Sequence, residues 1–263
     1  MTDHWREEST KHSLSAMKRS HMILIAILAT MSAVAVWWLR LDRGPEMPKL
    51  LAESLSASCG QVMLVLAPDE RSVAAQLWLL ERTDDEWQTV HGHIACTLGH
   101  QGLAWGTGEH TAAPPAGFRI KREGDKCSPA GVFRIPFAFG IAPAAPDVKL
   151  PYTPLTPTVI GVDDPKSRHY NQVVDNTKVA RDWDSNEAMV RHDRLYEWGA
   201  FIANNPACTP GLGSCIFLHI WPGPGKGTAG CTAMSPEDLK KVLTWLDPAK
   251  EPRLVQGIET WEK

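Results

Sequence analysis

Charge of one sign is what this chain most plainly lacks. Lys and Arg number 27 against 30 Asp and Glu, a net charge of -3. A nucleic-acid partner usually requires a basic face, so the balance argues against one. Cysteine is scarce: six in 263 residues is too few for a disulfide scaffold, although an exported chain has room for a few bridges. Three tyrosines stand against eleven tryptophans, an imbalance that carries no functional reading. No internal repeat and no low-complexity tract occurs. A hydrophobic fraction of 43% with 22% charged residues excludes wholesale disorder, and the length fits one or at most two domains.

Long apolar runs are absent too, with one exception. Met22 to Leu39 reads MILIAILATMSAVAVWWL, with only Thr30 and Ser32 polar. As a helix it would span roughly 27 Å, close to the hydrocarbon thickness of a bilayer. Lys18 and Arg19 precede it and Arg40 and Arg43 follow, so charge bias does not fix its orientation. Ala33-Val34-Ala35 offers a small-x-small signal-peptidase site. The long leading segment, with Trp37 and Trp38 beyond that site, favours an uncleaved anchor. Either reading exports the rest. The expected organisation is 1–21 as a cytoplasmic or n-region segment, 22–40 as the anchor or signal, 41–58 as a tether and 59–263 as one folded domain. Ser56-Ala57-Ser58-Cys59 resembles a lipid-attachment site but lies too far past the apolar run.

The remainder reads as mostly β with peripheral helices. Val62 to Leu66, Ala74 to Leu80 and Val90 to Leu98 are short apolar runs separated by turn chemistry such as Arg82-Thr83-Asp84-Asp85. Phe118 to Arg122 and Val132 to Ile135 flank a Gly/Pro-rich turn and are expected to form a hairpin. Residues 141–158 hold five prolines and read as loop, and the polar stretch 163–212 as an insertion over one end of the sheet. Ser235-Pro236-Glu237-Asp238 starts a helix with a capping Ser and Pro at its first position. Leu239, Val242, Leu243 and Leu246 follow at helical spacing, Asp247-Pro248 ends it, and Arg253 to Ile258 returns to the sheet.

The chemistry concentrates between residues 215 and 234. Cys215 to Trp221 alternates as a strand, so Ile216, Leu218 and Ile220 share the core face while Phe217, His219 and Trp221 share the other. Pro222 to Gly230 is nine residues with four Gly and two Pro, a loop that turns tightly and aims backbone N–H groups. Cys231 follows, just before the capped helix. The arrangement fits a thiolate–imidazolium pair, with Gly230 and Cys231 N–H groups as oxyanion donors. Cys215 is the poorer nucleophile, about 13 Å along the strand from His219. Gly225-Lys226-Gly227-Thr228 fails the Walker pattern.

These residues resemble the signature of L,D-transpeptidases with a YkuD-type catalytic domain: a His, a Gly-containing loop, then Ser/Thr-x-Gly-Cys, matched by His219, Thr228, Gly230 and Cys231. Lys121 to Phe133, followed by Ala138-Phe139-Gly140, is similar to the family's "EGDxxTPxGxF" block. Val162-Asp163-Asp164-Pro165, Tyr170-Asn171 and Leu195-Tyr196-x-Trp198-Gly199 look like a bacterial branch. The resemblance covers roughly residues 60–259. It implies a YkuD-type β-sandwich, no cofactor and no metal, and a peptidoglycan-modifying acyltransferase of the bacterial envelope, inner-membrane anchored or periplasmic. In it Cys231 is the nucleophile, His219 the base and the Ile220 backbone carbonyl the orienter. Stem peptides are the implied partner, and a monomer is expected. Hydrolysis at the same site, as a carboxypeptidase or endopeptidase, and a silent wall-binding module are the alternatives. Two departures stand out. Ala229 and Ala233 occupy places where many members carry His and Arg or Asn, so a substrate-binding cation must come from elsewhere, with Arg119, Lys121 or Arg168 as candidates. Thr228, Trp221, Asp163 and Tyr170 are further candidate substrate contacts.

Other constellations carry less. His91 and His93 face opposite to Cys96 on a strand, which argues against a shared metal. A Cys208–Cys215 disulfide is plausible outside the cytoplasm, and a Cys59–Cys96 bridge is a weaker alternative. Cys127 reads as a free thiol.

Overall fold

The computed structural model describes residues 45–145 and 147–261. The apolar segment 22–40 lies outside the described residues. Among them, no helix is long and apolar enough to cross a membrane.

The chain is mostly β. β1 (Gln61–Ala67), β2 (Ala74–Thr83) and β3 (Glu86–Thr97) follow the first three apolar runs and pair antiparallel in sequence. Asp84 and Asp85, both at positive φ (49° and 65°), join β2 to β3. Two such residues make the type I′ turn whose twist matches that of paired strands. Next come β4 (Leu103–Trp105), β5 (Ser128–Arg134), β6 (Ala138–Gly140), β7 (Tyr152–Pro154) and β8 (Val159–Val162). Then follow β9 (Gln172–Asp175), β10 (Asn186–Ala188), β11 (Trp198–Phe201), β12 (Phe217–Ile220), β13 (Thr232–Met234) and β14 (Arg253–Ile258). Eleven strands form one sheet in the order β4-β5-β14-β1-β2-β3-β13-β12-β11-β6-β7, and β10-β8-β9 form a small second sheet.

The large sheet closes on itself. β14 and β13 stand four strands apart in that order, roughly 19 Å if the sheet were flat. Yet Thr232 Oγ1 on β13 donates to Gln256 Oε1 on β14 at 2.8 Å. Ser128 Oγ on β5 likewise donates to the Cys231 carbonyl at 2.9 Å. The sheet therefore curls until its two halves face each other, and β1, buried along all seven residues, lies inside.

Among the described residues, two α-helices flank it. α1 (Lys49–Ala52) precedes β1, and α2 (Pro236–Trp245) packs on β11, β12 and β13. The helix start is as the sequence reads: Ser235 Oγ accepts from Asp238 N–H at 3.1 Å with Pro236 at the first position. Leu239, Val242, Leu243 and Leu246 are buried, and each such side chain stabilises by about 1.5–3 kcal/mol. This helix seats the strands that carry the site.

Three expectations need correction. Residues 45–58 are not a free tether. Leu51 is fully buried, Met47, Leu50 and Leu55 pack on the core, and Arg82 Nη1 donates to the Ser56 and Ala57 carbonyls. The 118–122/132–135 hairpin does not form. Both edges of β5 are taken by β4 and β14, leaving Ile120 a single bridge to Trp105. Within the proline-rich loop, β7 adds a short strand at the end of the sheet, the one place where a proline such as Pro154 costs no ladder bond. The polar 163–212 stretch carries β9, β10 and β11, and its first part folds over the site as the small sheet.

Candidate active site

β12 and β13 run parallel with Leu218 opposite Thr232 and His219 opposite Ala233. The Gly-rich loop between them returns the chain so that Cys231 sits at the start of β13. A cavity of about 410 Å³ opens here, and His219, Cys231, Cys215, Thr228 and Gly230 all line it. Its remaining walls come from the 121–126 turn and from Asp163, Glu187, Arg191, Leu195 and Tyr196.

The nucleophile turn is held from three sides. Thr228 Oγ1 donates to the Cys231 carbonyl at 2.6 Å and accepts from Gly230 N–H at 3.0 Å. Ser128 Oγ fills the second lone pair of the same carbonyl. Gly230 has φ +151°, and a Cβ there would lie 3.0 Å from the Cys127 carbonyl, so glycine is required. The Cys231 Sγ accepts from Phe217 N–H at 3.3 Å and faces the Cys215 carbonyl at 3.8 Å.

His219 Nδ1 lies 2.7 Å from the Ile220 carbonyl. A carbonyl only accepts, so Nδ1 carries the hydrogen and Nε2 is left as a bare lone pair. The imidazole is further fixed by Tyr196, whose ring meets it edge-on at 5.2 Å. The Tyr196 hydroxyl donates to Glu187 Oε1 at 2.6 Å. Arg191 lies 5.1 Å over the Tyr196 ring and pairs with Asp193 at 2.5 Å and Glu187 at 3.4 Å.

Burial decides the resting charge. His219 is 5% exposed and Cys231 7%. Desolvation pushes the His219 pKa down to about 4, aided by the Arg191 charge and opposed by the Ile220 hydrogen bond. Desolvation, then the Glu187 charge, pushes the Cys231 thiol up to about 12, against the Phe217 N–H, the Lys121 charge and the Tyr196 hydroxyl. Burial of both groups thus works against the expected thiolate–imidazolium pair and favours thiol plus neutral imidazole in the resting site. Nor does the helix end help. α2 begins only at Pro236, with β13 between it and Cys231.

Residues 73–255 match the family model of the YkuD L,D-transpeptidase catalytic domain. The chain belongs to that family. A search of curated proteins gave no match.

Against this L,D-transpeptidase frame, the candidates from sequence divide. Asp163 lines the cavity and accepts from Ser185 Oγ at 2.6 Å. Lys121 lines it too, almost fully buried, with its Nζ held by Asp125 at 2.5 Å and by the Arg122 carbonyl at 2.9 Å. Arg119 is spent on the carbonyls of Glu70, Gln101 and Leu103, and Arg168 pairs with Asp182 at the surface. Tyr170 is not a cavity residue. It stands behind the wall and donates its hydroxyl to Glu123, which Ser214 also holds. Trp221 lines a neighbouring groove with Trp198 and Leu195 instead. Of the two expected oxyanion donors, Gly230 N–H is committed to Thr228, leaving that of Cys231.

Cys208 and Cys215 are both free, as are Cys59, Cys96 and Cys127. The Cys215 thiol points to the Val162 carbonyl at 3.6 Å, across the cavity wall, while Cys208 is half-buried on the preceding loop. Glu187 and Arg191 were missed by sequence reasoning, and Ser128 and Tyr196 were noted only as parts of motifs. None sits at a diagnostic spacing from Cys231.

Proposed function

We propose that this protein is an L,D-transpeptidase that joins peptidoglycan stem peptides through a thioester on Cys231. The observation that carries the reading is His219: buried beside Cys231 in one cavity, with Nδ1 tied to the Ile220 carbonyl and Nε2 left as a base. As the sulfur attacks the carbonyl of the third-position diamino acid, the thiol proton passes to Nε2. The Cys231 N–H faces the developing oxyanion. The carbon–nitrogen bond to D-alanine breaks, and the imidazolium proton leaves on its amine. The side-chain amine of a second stem then attacks the thioester, its proton goes to Nε2, and the carbon–sulfur bond breaks to return the thiol.

In a cavity that disfavours both ions, proton transfer accompanies attack rather than preceding it. Anchoring by segment 22–40, with the catalytic domain in the envelope, completes the reading.

The test is incubation of the protein and its Cys231→Ala variant with disaccharide-tetrapeptide, followed by mass spectrometry. Crosslinked dimer with loss of D-alanine, absent in the variant, supports the transpeptidase. Loss of D-alanine alone moves the activity to carboxypeptidase. No adduct and no product from folded protein leaves a wall-binding module.

A further inference from the structure

Resting on the acyl-transfer reading of the catalytic cavity, we propose that the groove beside it is a saccharide subsite. Trp221 is its stacking platform, and its occupant is the sugar that carries the donor stem peptide.

The groove, about 630 Å³, is walled by Trp198, Trp221 and Pro236 and rimmed by Asp193, Arg194 and Glu197. It adjoins the catalytic cavity, because Leu195 and Pro222 line both. The Ile220 N–H donates to the Leu195 carbonyl at 3.0 Å and the Trp221 N–H to the Met234 carbonyl at 2.9 Å. The shared wall and the tryptophan backbone are thereby fixed.

Trp198 packs against the hydrophobic core. Trp221 is half-buried but belongs to no core cluster, and among the described residues its indole meets neither another aromatic ring nor a hydrogen-bond acceptor. A rigidly mounted amphipathic ring of this kind suits a ligand with a C–H face for the ring and an acceptor for its N–H. An N-acetylated pyranose offers both. Its axial C–H bonds make an apolar face, and its hydroxyls and amide carbonyl point outward.

The rim favours an uncharged ligand over a second, charged stem peptide. Arg194 donates to Glu197 through Nε and Nη2, each at 2.8 Å, and Asp193 is held by Arg191 at 2.5 Å. These charges are matched already. The Arg194 guanidinium keeps further N–H donors, and the carboxylates further lone pairs, for hydroxyl groups. Reach agrees as well. Trp221 stands two residues beyond His219, about 7 Å along an extended chain. The first stem residue, which bears the sugar, lies two residues before the one attacked, also about 7 Å when extended.

Isothermal titration calorimetry tests this in the full chain carrying Cys231→Ala, with tetrapeptide and disaccharide-tetrapeptide as probes. The disaccharide is expected to tighten binding about tenfold, the size of one well-made ring contact. Adding Trp221→Ala should cut that advantage to about twofold, while Trp221→Tyr, which keeps a stacking face, should retain most of it. Arg194→Gln, on the exposed rim where folding is not at stake, should reduce it about threefold. A sugar advantage that is absent from the start, or that survives Trp221→Ala and Arg194→Gln in full, overturns the proposal. So does a second tetrapeptide bound per chain and lost on Trp221→Ala, which gives the groove to an acceptor stem. Turnover of disaccharide-tetrapeptide by the unmodified protein is followed separately. Its absence beside a Trp221-dependent sugar advantage removes the transpeptidase reading and keeps the subsite. Turnover without that advantage does the reverse.

Discussion

Thr228 Oγ1 donates to the Cys231 carbonyl at 2.6 Å, three residues ahead of the nucleophile it holds. The same oxygen accepts the Gly230 N–H, so one hydroxyl closes both sides of the turn. This gives a physical reason for a hydroxyl residue three positions before the cysteine. A methyl in its place leaves a buried N–H unpaired, and the Cys231 carbonyl keeps only Ser128.

Thr228→Val is accordingly expected to destabilise by about 1–3 kcal/mol and to lower kcat by more than tenfold, whereas Thr228→Ser retains most of both. Thermal unfolding and donor turnover, measured side by side, check it. A Thr228→Val protein with unaltered Tm and kcat contradicts the role assigned to the hydroxyl.

Gly230→Ala should be worse tolerated than its size implies. Its φ of +151° belongs to glycine, and the new Cβ meets the Cys127 carbonyl at 3.0 Å and Ile216 Cδ1 at 3.3 Å. Strain of this kind costs about 1–3 kcal/mol. The predicted readout is a lowered Tm together with lost Cys231 acylation, since the turn also sets the direction of the thiol.

Burial of His219 makes stability acid-sensitive. A histidine whose folded pKa lies below its unfolded value binds protons more readily unfolded. Its contribution is whole above pH 6.5 and falls as pH drops toward about 4. The full shift corresponds to about 3 kcal/mol. His110, also lowered by burial, acts in the same direction. Urea midpoints between pH 7 and 4.5 should fall for the unmodified protein and fall less for His219→Gln. Parallel slopes would show that other groups govern the window.

Much of this was legible in sequence because it is local. The three first strands, the Asp84-Asp85 turn and the Ser235 cap each declare themselves within a dozen residues. His219, Thr228, Gly230 and Cys231 do so as well, being carried on one strand–loop–strand segment. Partnership between distant segments was not legible. β5 pairs with β14, some 120 residues later, and apolar periodicity does not name a partner. The same limit hid Glu187 and Arg191, which come to the cavity wall on β10 and just after it. It also misplaced the electrostatics. Alternation along β12 puts His219 on the face away from the aliphatic core, which reads as open, but the folded-over insertion and Tyr196 bury it. A solvated imidazole and a buried one have the same sequence and opposite preferences for charge.

The thiol itself gives the last prediction. With the Cys231 pKa pushed up to about 12, the thiolate fraction at pH 7 is small and grows tenfold per unit of pH. Iodoacetamide labelling of Cys231 in the substrate-free protein should therefore be slow at pH 7 and climb steadily through pH 9, with no plateau near neutrality. Donor turnover should not follow that slope, because the base that matters during attack is the neutral imidazole, already present above about pH 4. The two profiles separate a concerted proton transfer from a preformed ion pair. An ion pair predicts fast labelling at pH 6–7 that is abolished by His219→Ala. The concerted pathway predicts labelling little changed by that substitution while turnover is lost.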